Sequence, residues 1–279
     1  MKNQDDMVVS DFGDEWGKFK QDKLSKGDHI SQFNSYFHIF PWHMIRENAV
    51  GADIGCGSGR WASLVAPRVG HLHLIDPSEQ ALDVAKTNLK GAENTSFNVK
   101  SVHELPFENN SLDFAYCLGV LHHIPDTSAG IKAIADALKP GAPFLVYLYY
   151  AFDNRPLWFK ILWKTSDLIR TVISSLPKKL KHLSCELIAF FVYFPLTRIG
   201  RFLRFCRMLP KAWPLSYYLD LSYYVLRTDA LDRFGTKLEK RFTKVQIQQM
   251  LEDNNFRDIE FSDTLPHWCA IAVKGDSLR

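Results

Sequence analysis

Gly51-Ala-Asp-Ile-Gly-Cys-Gly-Ser-Gly-Arg60 is the stretch of sequence that decides the fold. The apolar run that leads into it, Ala49–Ile54, has the composition of a buried strand, and three alternate glycines follow. Glycine tolerates the backbone angles of a tight turn and, having no Cβ, lets a ligand approach the main chain. A helix that starts after such a loop points free N–H groups at that ligand. The stretch therefore predicts a strand, a ligand-binding loop and a helix.

Similar alternation continues from about residue 48 to residue 150, where short apolar runs alternate with helix-length amphipathic ones. This is the pattern of repeated βαβ units and predicts a mostly parallel sheet. The predicted strands are Ala49–Ile54, His71–Asp76, Thr95–Val99, Leu112–Leu118 and Phe144–Tyr149, and the predicted helices are Gly59–Ala66, Ser78–Leu89 and Ala129–Leu138.

A second αβ block closes the chain. Thr243 is a suitable cap for a helix that runs to about Asp253, and Asn255 can take the left-handed conformation that ends it. Two strands are predicted after it, Asp258–Ser262 and Trp268–Val273. Their short connection favours an antiparallel pair at the edge of the sheet.

The composition, with 46% hydrophobic and 23% charged residues, is that of a folded soluble protein. A net charge of +3 is too small to indicate a nucleic-acid partner. The five cysteines are scattered, without CxxC pairs or a Cys/His cluster of zinc spacing, which favours a reducing compartment and predicts no metal site. The longest uncharged apolar stretch, Leu187 to Thr197, is too short to span a bilayer. We therefore expect a cytoplasmic protein.

The segment between the two blocks, residues 151–241, differs in character. Residues 156–211 contain eleven Lys and Arg but only two acidic residues, a net charge of +9 within a chain whose total is +3. Apolar residues recur there at helical spacing. Two interpretations remain open: an amphipathic surface that rests on the inner face of an anionic membrane and admits a lipid-linked acceptor, or a helical cap whose basic residues are simply solvated.

The glycine loop, taken alone, also has two interpretations. Gly57-Ser-Gly-Arg-Trp-Ala62 matches the GxGxxA pattern of dinucleotide-binding proteins, and Asp76 is placed to bind a ribose in either case. An acidic residue just before the loop, Asp53, would repel a pyrophosphate but would suit a ligand that carries an ammonium group. Motifs later in the chain distinguish a dinucleotide-binding loop from a loop for a ligand with an ammonium group.

Five motifs occur in one order and together resemble the class I S-adenosylmethionine-dependent methyltransferases, in the broad group that contains the ubiquinone and menaquinone biosynthesis enzymes. They are Asp53-Ile-Gly-Cys-Gly-Ser-Gly59, Ile75-Asp-Pro-Ser78, His103-Glu-Leu-Pro-Phe107, Leu112-Asp-Phe-Ala-Tyr-Cys-Leu-Gly-Val-Leu-His-His-Ile-Pro125 and Leu138-Lys-Pro-Gly141. The resemblance covers roughly residues 48–150. It implies a doubly wound α/β sheet of seven strands in the order 3-2-1-4-5-7-6, with strand 7 antiparallel, interrupted by the helical insertion.

The resemblance also implies S-adenosylmethionine as the cofactor and assigns residues to it. The methionine part would contact Asp53 and the loop residues Gly55, Cys56, Gly57 and Gly59. The ribose hydroxyls would bind Asp76, next to Pro77, and the adenine edge would lie along Ser101, Val102 and His103. The family often has an acidic residue where this chain has Ser101. The transferred methyl group would sit beside Leu118 and Gly119.

Candidates for catalysis and acceptor binding lie around these positions. His122 or His123 could act as a general base toward an acceptor hydroxyl, because histidine titrates near neutral pH; the alternative is that both pack at the strand–helix junction. Trp16 belongs to an aromatic N-terminal segment that, by the resemblance, would fold over the cofactor as a lid; the alternative is an aromatic helix packed on the sheet. Asn154 and Arg155 follow the fifth strand, where an acceptor would bind.

The predicted organisation has four parts. Residues 1–47 form a helical lid, 48–150 the cofactor-binding core, 151–241 the acceptor cap, and 242–279 a helix and hairpin that complete the core. The predicted reaction is transfer of a methyl group to a small or amphiphilic acceptor, at an oxygen atom.

Overall fold

The computed structural model describes residues 3–276 of the chain, which divide into two compact units. The first comprises the chain up to Gln21, Ile30–Ala151, and the chain from Leu238 onward. The second comprises Asp22–His29 and Phe152–Lys237.

The first unit contains a seven-stranded sheet in the order β3-β2-β1-β4-β5-β7-β6, which confirms the predicted order. Strands β1 to β5 are parallel to one another, and β7 is antiparallel to both of its neighbours. The strands are β1 (Val50–Ile54), β2 (His71–Asp76), β3 (Thr95–Val99), β4 (Phe114–Leu118), β5 (Pro143–Tyr147), β6 (Phe256–Phe261) and β7 (Cys269–Lys274).

Helices cover both faces of the sheet, as expected for parallel strands, which are buried on both sides. The helices that accompany the sheet are α1 (Asp6–Lys18), α2 (Lys26–Phe37), α3 (Ala62–Val65), α4 (Glu79–Asn88), α5 (Thr127–Ala137) and α10 (Lys244–Asp253). Side chains of α2, α3 and α4 share one apolar core with Phe114 and Tyr116 of β4. Those of α5 and α10 share the other core with Ala115 and Cys117, the alternate residues of the same strand.

Several local predictions are confirmed and two are corrected. Thr243 caps α10, and Asn255 has a positive φ of 62°. Strand β4 begins at Phe114 rather than Leu112, because Leu112 makes only an isolated bridge to Leu138. The predicted helix Gly59–Ala66 shortens to α3, because the turn after the glycine loop occupies its first residues and a 3-10 turn, Ala66–Arg68, follows it.

The second unit is helical. Its helices are α6 (Leu157–Ser174), α7 (Lys178–Ile188), α8 (Phe194–Phe205) and α9 (Tyr223–Gly235). A π-helical turn, Ala189–Tyr193, joins α7 to α8, so that 178–205 is one continuous helical stretch of 28 residues. By length and composition it could cross a membrane, although the stretch Leu187 to Thr197 taken alone could not. The helix is longer than this uncharged stretch because it continues through basic residues on either side of it.

Candidate functional site

A cavity of about 810 Å³, part of it open to solvent, lies in the first unit where β1, β2 and β4 end. Its place is the one where ligands bind in open α/β sheets. Nine of the predicted site residues line it: Trp16, Gly55, Asp76, Pro77, Ser101, Val102, Leu118, Gly119 and His123.

The glycine loop has the backbone that its sequence predicts. Gly55, Gly57 and Gly59 all have positive φ, at 74°, 53° and 70°. A Cβ on Gly57 would lie 2.8 Å from Nε1 of Trp16, so the indole packs directly against the loop. A Cβ on Gly55 would lie 2.3 Å from Cγ2 of Val120. Both the turn and these close approaches therefore require glycine.

Asp76 connects the end of β2 to the glycine loop. Its Oδ2 accepts a hydrogen bond from the N–H of Gly57 at 2.9 Å, and its Oδ1 accepts one from the N–H of Ser78 at 2.8 Å. Burial raises the pKa of this carboxyl to about 6, although the two backbone N–H groups lower it. Each carboxylate oxygen has further lone pairs, so Asp76 can accept additional hydrogen bonds from a ligand in the cavity.

Asp53 is buried one residue before the end of β1 and does not line the cavity. Its Oδ2 makes no hydrogen bond, and neither does the buried hydroxyl of Tyr116. The pKa of Asp53 is raised to about 8, mainly by burial and also by the charge of Asp76, while Tyr116 and Arg60 act in the opposite direction. A buried carboxyl with an unsatisfied oxygen is a site at which a nearby cation would be stabilised.

The far wall of the cavity is built by residues that follow β3 and β4. The hydroxyl of Ser101 hydrogen-bonds to Nδ1 of His103 at 2.8 Å, and Ser101 and Val102 both line the cavity. At the end of β4, Gly119 has a φ of 79°, and a Cβ there would meet nothing within 4 Å. The space in front of Gly119 is therefore open.

The two adjacent histidines have different surroundings. His122 is fully buried and stacks on Tyr149, and its Nδ1 accepts a hydrogen bond from the N–H of Tyr149 at 3.3 Å. Burial lowers the pKa of His122 well below its usual value, so its ring is neutral. His123 lines the cavity, and its Nδ1 lies 2.6 Å from the carbonyl oxygen of Leu238. A carbonyl only accepts, so Nδ1 carries the proton and Nε2 of the neutral ring is an acceptor.

Helix α1 contributes Val8 and Phe12, which the sequence analysis did not assign to the site, in addition to the predicted Trp16. Val8, Phe12 and Trp16 are spaced four residues apart, so they lie on one side of the helix, and all three line the cavity. The ring of Phe12 packs edge-on against His123, with centroids 4.9 Å apart. Gly13 and Gly17 let the helix approach α4, since a Cβ on Gly13 would lie 2.6 Å from Oγ of Ser78. The four-residue spacing of Val8, Phe12 and Trp16 was the feature of the sequence that could have predicted this shared face.

The remaining predicted residues lie elsewhere. Cys56, Gly57, Gly59 and His103 belong to the loops beside the cavity without lining it. Asn154 and Arg155 belong to the second unit, where Nη1 of Arg155 donates to the carbonyl oxygen of Lys211 at 3.1 Å. Among residues 3–276, no three His, Cys, Asp or Glu side chains are grouped so that they could hold a metal ion.

Comparison with known proteins agrees with this geometry. Residues 52–141 match the methyltransferase domain family. An uncharacterized methyltransferase of Bacillus subtilis is 32% identical over 104 residues, which are 37% of this chain and 41% of that protein. The demethylmenaquinone methyltransferase of Staphylococcus aureus is 36% identical over 104 residues, 35% of this chain and 42% of that protein. The chain thus spans about two fifths of the length of these relatives.

One solved structure shows the same fold over most of the chain. The phosphoethanolamine N-methyltransferase 2 of Haemonchus contortus, in complex with S-adenosyl-L-methionine, superposes with a TM-score of 0.50 and 18% identity. The superposition covers 95% of this chain and 45% of that one. Residues 52–141 match the methyltransferase domain family, and the seven-stranded sheet that contains most of them has the strand order of the class I methyltransferase fold.

Proposed function

We propose that this protein transfers a methyl group from S-adenosylmethionine to a small or amphiphilic acceptor, and that the atom methylated is an oxygen. The observation that carries the proposal is Asp76, a buried carboxylate at the end of β2 that lines the cavity and binds the glycine loop. The domain family supports the same activity.

The residues around the cavity fit this cofactor. Asp76 retains lone pairs for two ribose hydroxyls, and Ser101, Val102 and His103 would lie along the adenine. Asp53, with its unsatisfied buried oxygen, would stabilise the positively charged methionine end together with the loop from Gly55 to Gly59. S-adenosylmethionine supplies, when bound, an electrophilic methyl group on a sulfonium. Leu118, Pro77 and the open space at Gly119 would leave room for that group.

The proposed acceptor chemistry rests on His123. Its Nδ1–H donates to the carbonyl of Leu238, so in the neutral ring Nε2 carries no proton and would accept one from a hydroxyl as the new O–C bond forms. His122 is fully buried and outside the cavity wall, so we assign the base to His123 alone. Trp16 would position the acceptor from α1. Positioning would supply much of the acceleration.

The proposal is tested by incubating the protein with S-adenosylmethionine that carries a labelled methyl group and a panel of small phenols, quinols, hydroxylated lipids and amines. We expect label to appear in a hydroxyl-bearing compound and its position, read by mass spectrometry and NMR, to be oxygen. Transfer only to amines would contradict the oxygen assignment. Absence of binding of S-adenosylhomocysteine, the product of the methyl donor, would contradict the activity itself.

A further inference from the structure

Helix α6 of the second unit exposes many apolar side chains and turns several polar ones inward, which is the opposite of the usual arrangement in a water-soluble protein. Several of its polar residues face inward: Arg170 pairs with Asp167 and donates to the carbonyl oxygens of Thr236 and Lys237, and Arg233 donates to Ser166. Seven of its large apolar residues are exposed, Leu168 to 72%, whereas Ile173 is buried. The outer face of α6 consists of Leu157, Trp158, Ile161, Leu168 and Val172.

The continuous helix 178–205 has the same arrangement. Its inner side is small or polar, with Lys181, Cys185, Ala189 and Thr197 all buried. Glu186 on this helix forms a two-point ion pair with Arg227 of α9, with distances of 2.6 and 2.7 Å. Its outer face consists of Leu180, Leu183, Leu187, Phe191, Phe202 and Phe205, all of them exposed.

These faces concentrate the exposed apolar surface of the protein. Of the 23 large apolar side chains that are exposed within residues 3–276, 17 lie between 157 and 208. Such a helix normally buries its apolar stripe, and an apolar surface of this extent marks an interaction site. The same region carries the net charge of +9, with the exposed Lys178 and Lys179 at the start of the long helix and Arg207 and Lys211 after its end.

We propose that the second unit binds an anionic lipid bilayer and that the outer faces of α6 and of the helix 178–205 enter its interfacial region. A lipid surface satisfies both features at once, because acyl chains accept the apolar side chains while anionic headgroups attract the basic residues. A neutral apolar partner would leave the charge unexplained. This binding does not depend on the proposed methyl transfer.

The helix 178–205 lies along the membrane surface in this proposal and does not cross the bilayer. Its length of about 42 Å would be enough to span one. Its inner side, however, holds the buried Lys181 and the ion pair of Glu186 with Arg227, both within the second unit. Surrounding them with acyl chains would be costly, whereas an interfacial helix exposes only its apolar face to lipid.

The test is flotation of the full-length protein with vesicles of phosphatidylglycerol and phosphatidylcholine, and with phosphatidylcholine alone. The Phe191→Gln/Phe202→Gln variant removes apolar area from the outer face, and Met44→Gln/Val245→Gln makes a similar change at exposed apolar residues of the first unit. Lys179→Glu/Lys211→Glu reverses basic charge, with Lys86→Glu/Lys90→Glu as its control in the first unit. All eight positions are exposed, so these variants should fold.

We expect the wild-type protein to float with the anionic vesicles and to bind the neutral ones at least about tenfold more weakly. The phenylalanine variant and the lysine variant should each lose on the order of tenfold in partition to anionic vesicles, and both controls should behave as wild type. A wild-type protein that stays at the bottom of the gradient would overturn the proposal. So would a phenylalanine variant that floats like wild type, or a dimer in lipid-free solution that this variant dissociates, since a second copy would then cover the face. Binding of S-adenosylhomocysteine by the same proteins tests the proposed function separately.

Discussion

Asp76 and Gly57 are joined by a hydrogen bond of 2.9 Å, from the N–H of the glycine to Oδ2 of the carboxylate. The carboxylate at the end of β2 therefore fixes the loop after β1, in addition to facing the cavity. Its predicted role as a ribose ligand and its observed role in holding the loop have to be separated by experiment.

Replacing Asp76 with Ala removes the acceptor for two buried N–H groups, those of Gly57 and Ser78. We expect the free energy of unfolding to fall by about 1–3 kcal/mol and the affinity for S-adenosylhomocysteine to fall as well. Asp76→Asn can still accept from Gly57, so it should lose less stability than the Ala variant but still lose affinity. Urea unfolding and calorimetric titration measure the two effects. Unchanged affinity in both variants would show that Asp76 does not contact the ligand.

Asp53 predicts a specific dependence of stability on pH. Its pKa in the folded protein is about 8, against an ordinary value of 3.8 for an aspartate, so between these values the folded state binds more protons than the unfolded state. Its contribution to the free energy of unfolding therefore decreases as the pH rises from about 4 to 8. Asp53→Asn should flatten this dependence and be more stable than wild type at pH 8 in the absence of ligand. The account of Asp53 is wrong if unfolding at pH 5, 6.5 and 8 gives the same difference between the two proteins.

The contact between Trp16 and the glycine loop can be measured with a double-mutant cycle. In Gly57→Ala an alanine has to adopt a positive φ, and its Cβ would lie 2.8 Å from the indole of Trp16. We therefore expect the free energy of unfolding to fall by about 1–3 kcal/mol. In a Trp16→Ala background only the backbone strain remains, and the loss should be smaller. Gly91→Ala is the matched control, because Gly91 has a φ of 97° and open space around it. Equal losses in both backgrounds would place Trp16 away from the loop.

The two histidines should differ in their effects on turnover. His123→Gln removes the proposed base, and we expect turnover with a hydroxyl acceptor to fall by about 10²-fold or more, with little change in the affinity for S-adenosylhomocysteine. His122→Gln should mainly reduce stability, because His122 is buried against Tyr149. Comparable turnover in His123→Gln and the wild type would mean that positioning alone supports the reaction.

The sequence was sufficient for those features that depend on local patterns. Apolar runs located the strands, and Asn255 and Thr243 marked the ends of α10 correctly. The motifs identified Asp76 and Gly119 as residues near the cavity, and both line it. Positions that depend on tertiary packing could not be predicted, such as Phe12 against His123 or the absence of Asp53 from the cavity wall.

In the second unit, too, the sequence predicted the helices but not how their faces pack. Helical periodicity predicted that α6 has an apolar and a polar face, but periodicity does not reveal which face packs inward. In the structure Asp167 and Arg170 face the interior of the unit and Leu168 faces outward. Likewise, the long helix 178–205 exceeds the uncharged stretch within it, because Arg198, Arg201 and Arg204 continue the helix beyond Thr197.

The central claim is that the cavity binds S-adenosylmethionine rather than a dinucleotide, and calorimetric titration of the wild-type protein tests it most directly. We predict that S-adenosylhomocysteine binds with a stoichiometry of one and that NAD produces no binding heat at the same concentrations. Asp76→Asn should weaken the first titration. Binding of NAD without binding of S-adenosylhomocysteine would contradict the account.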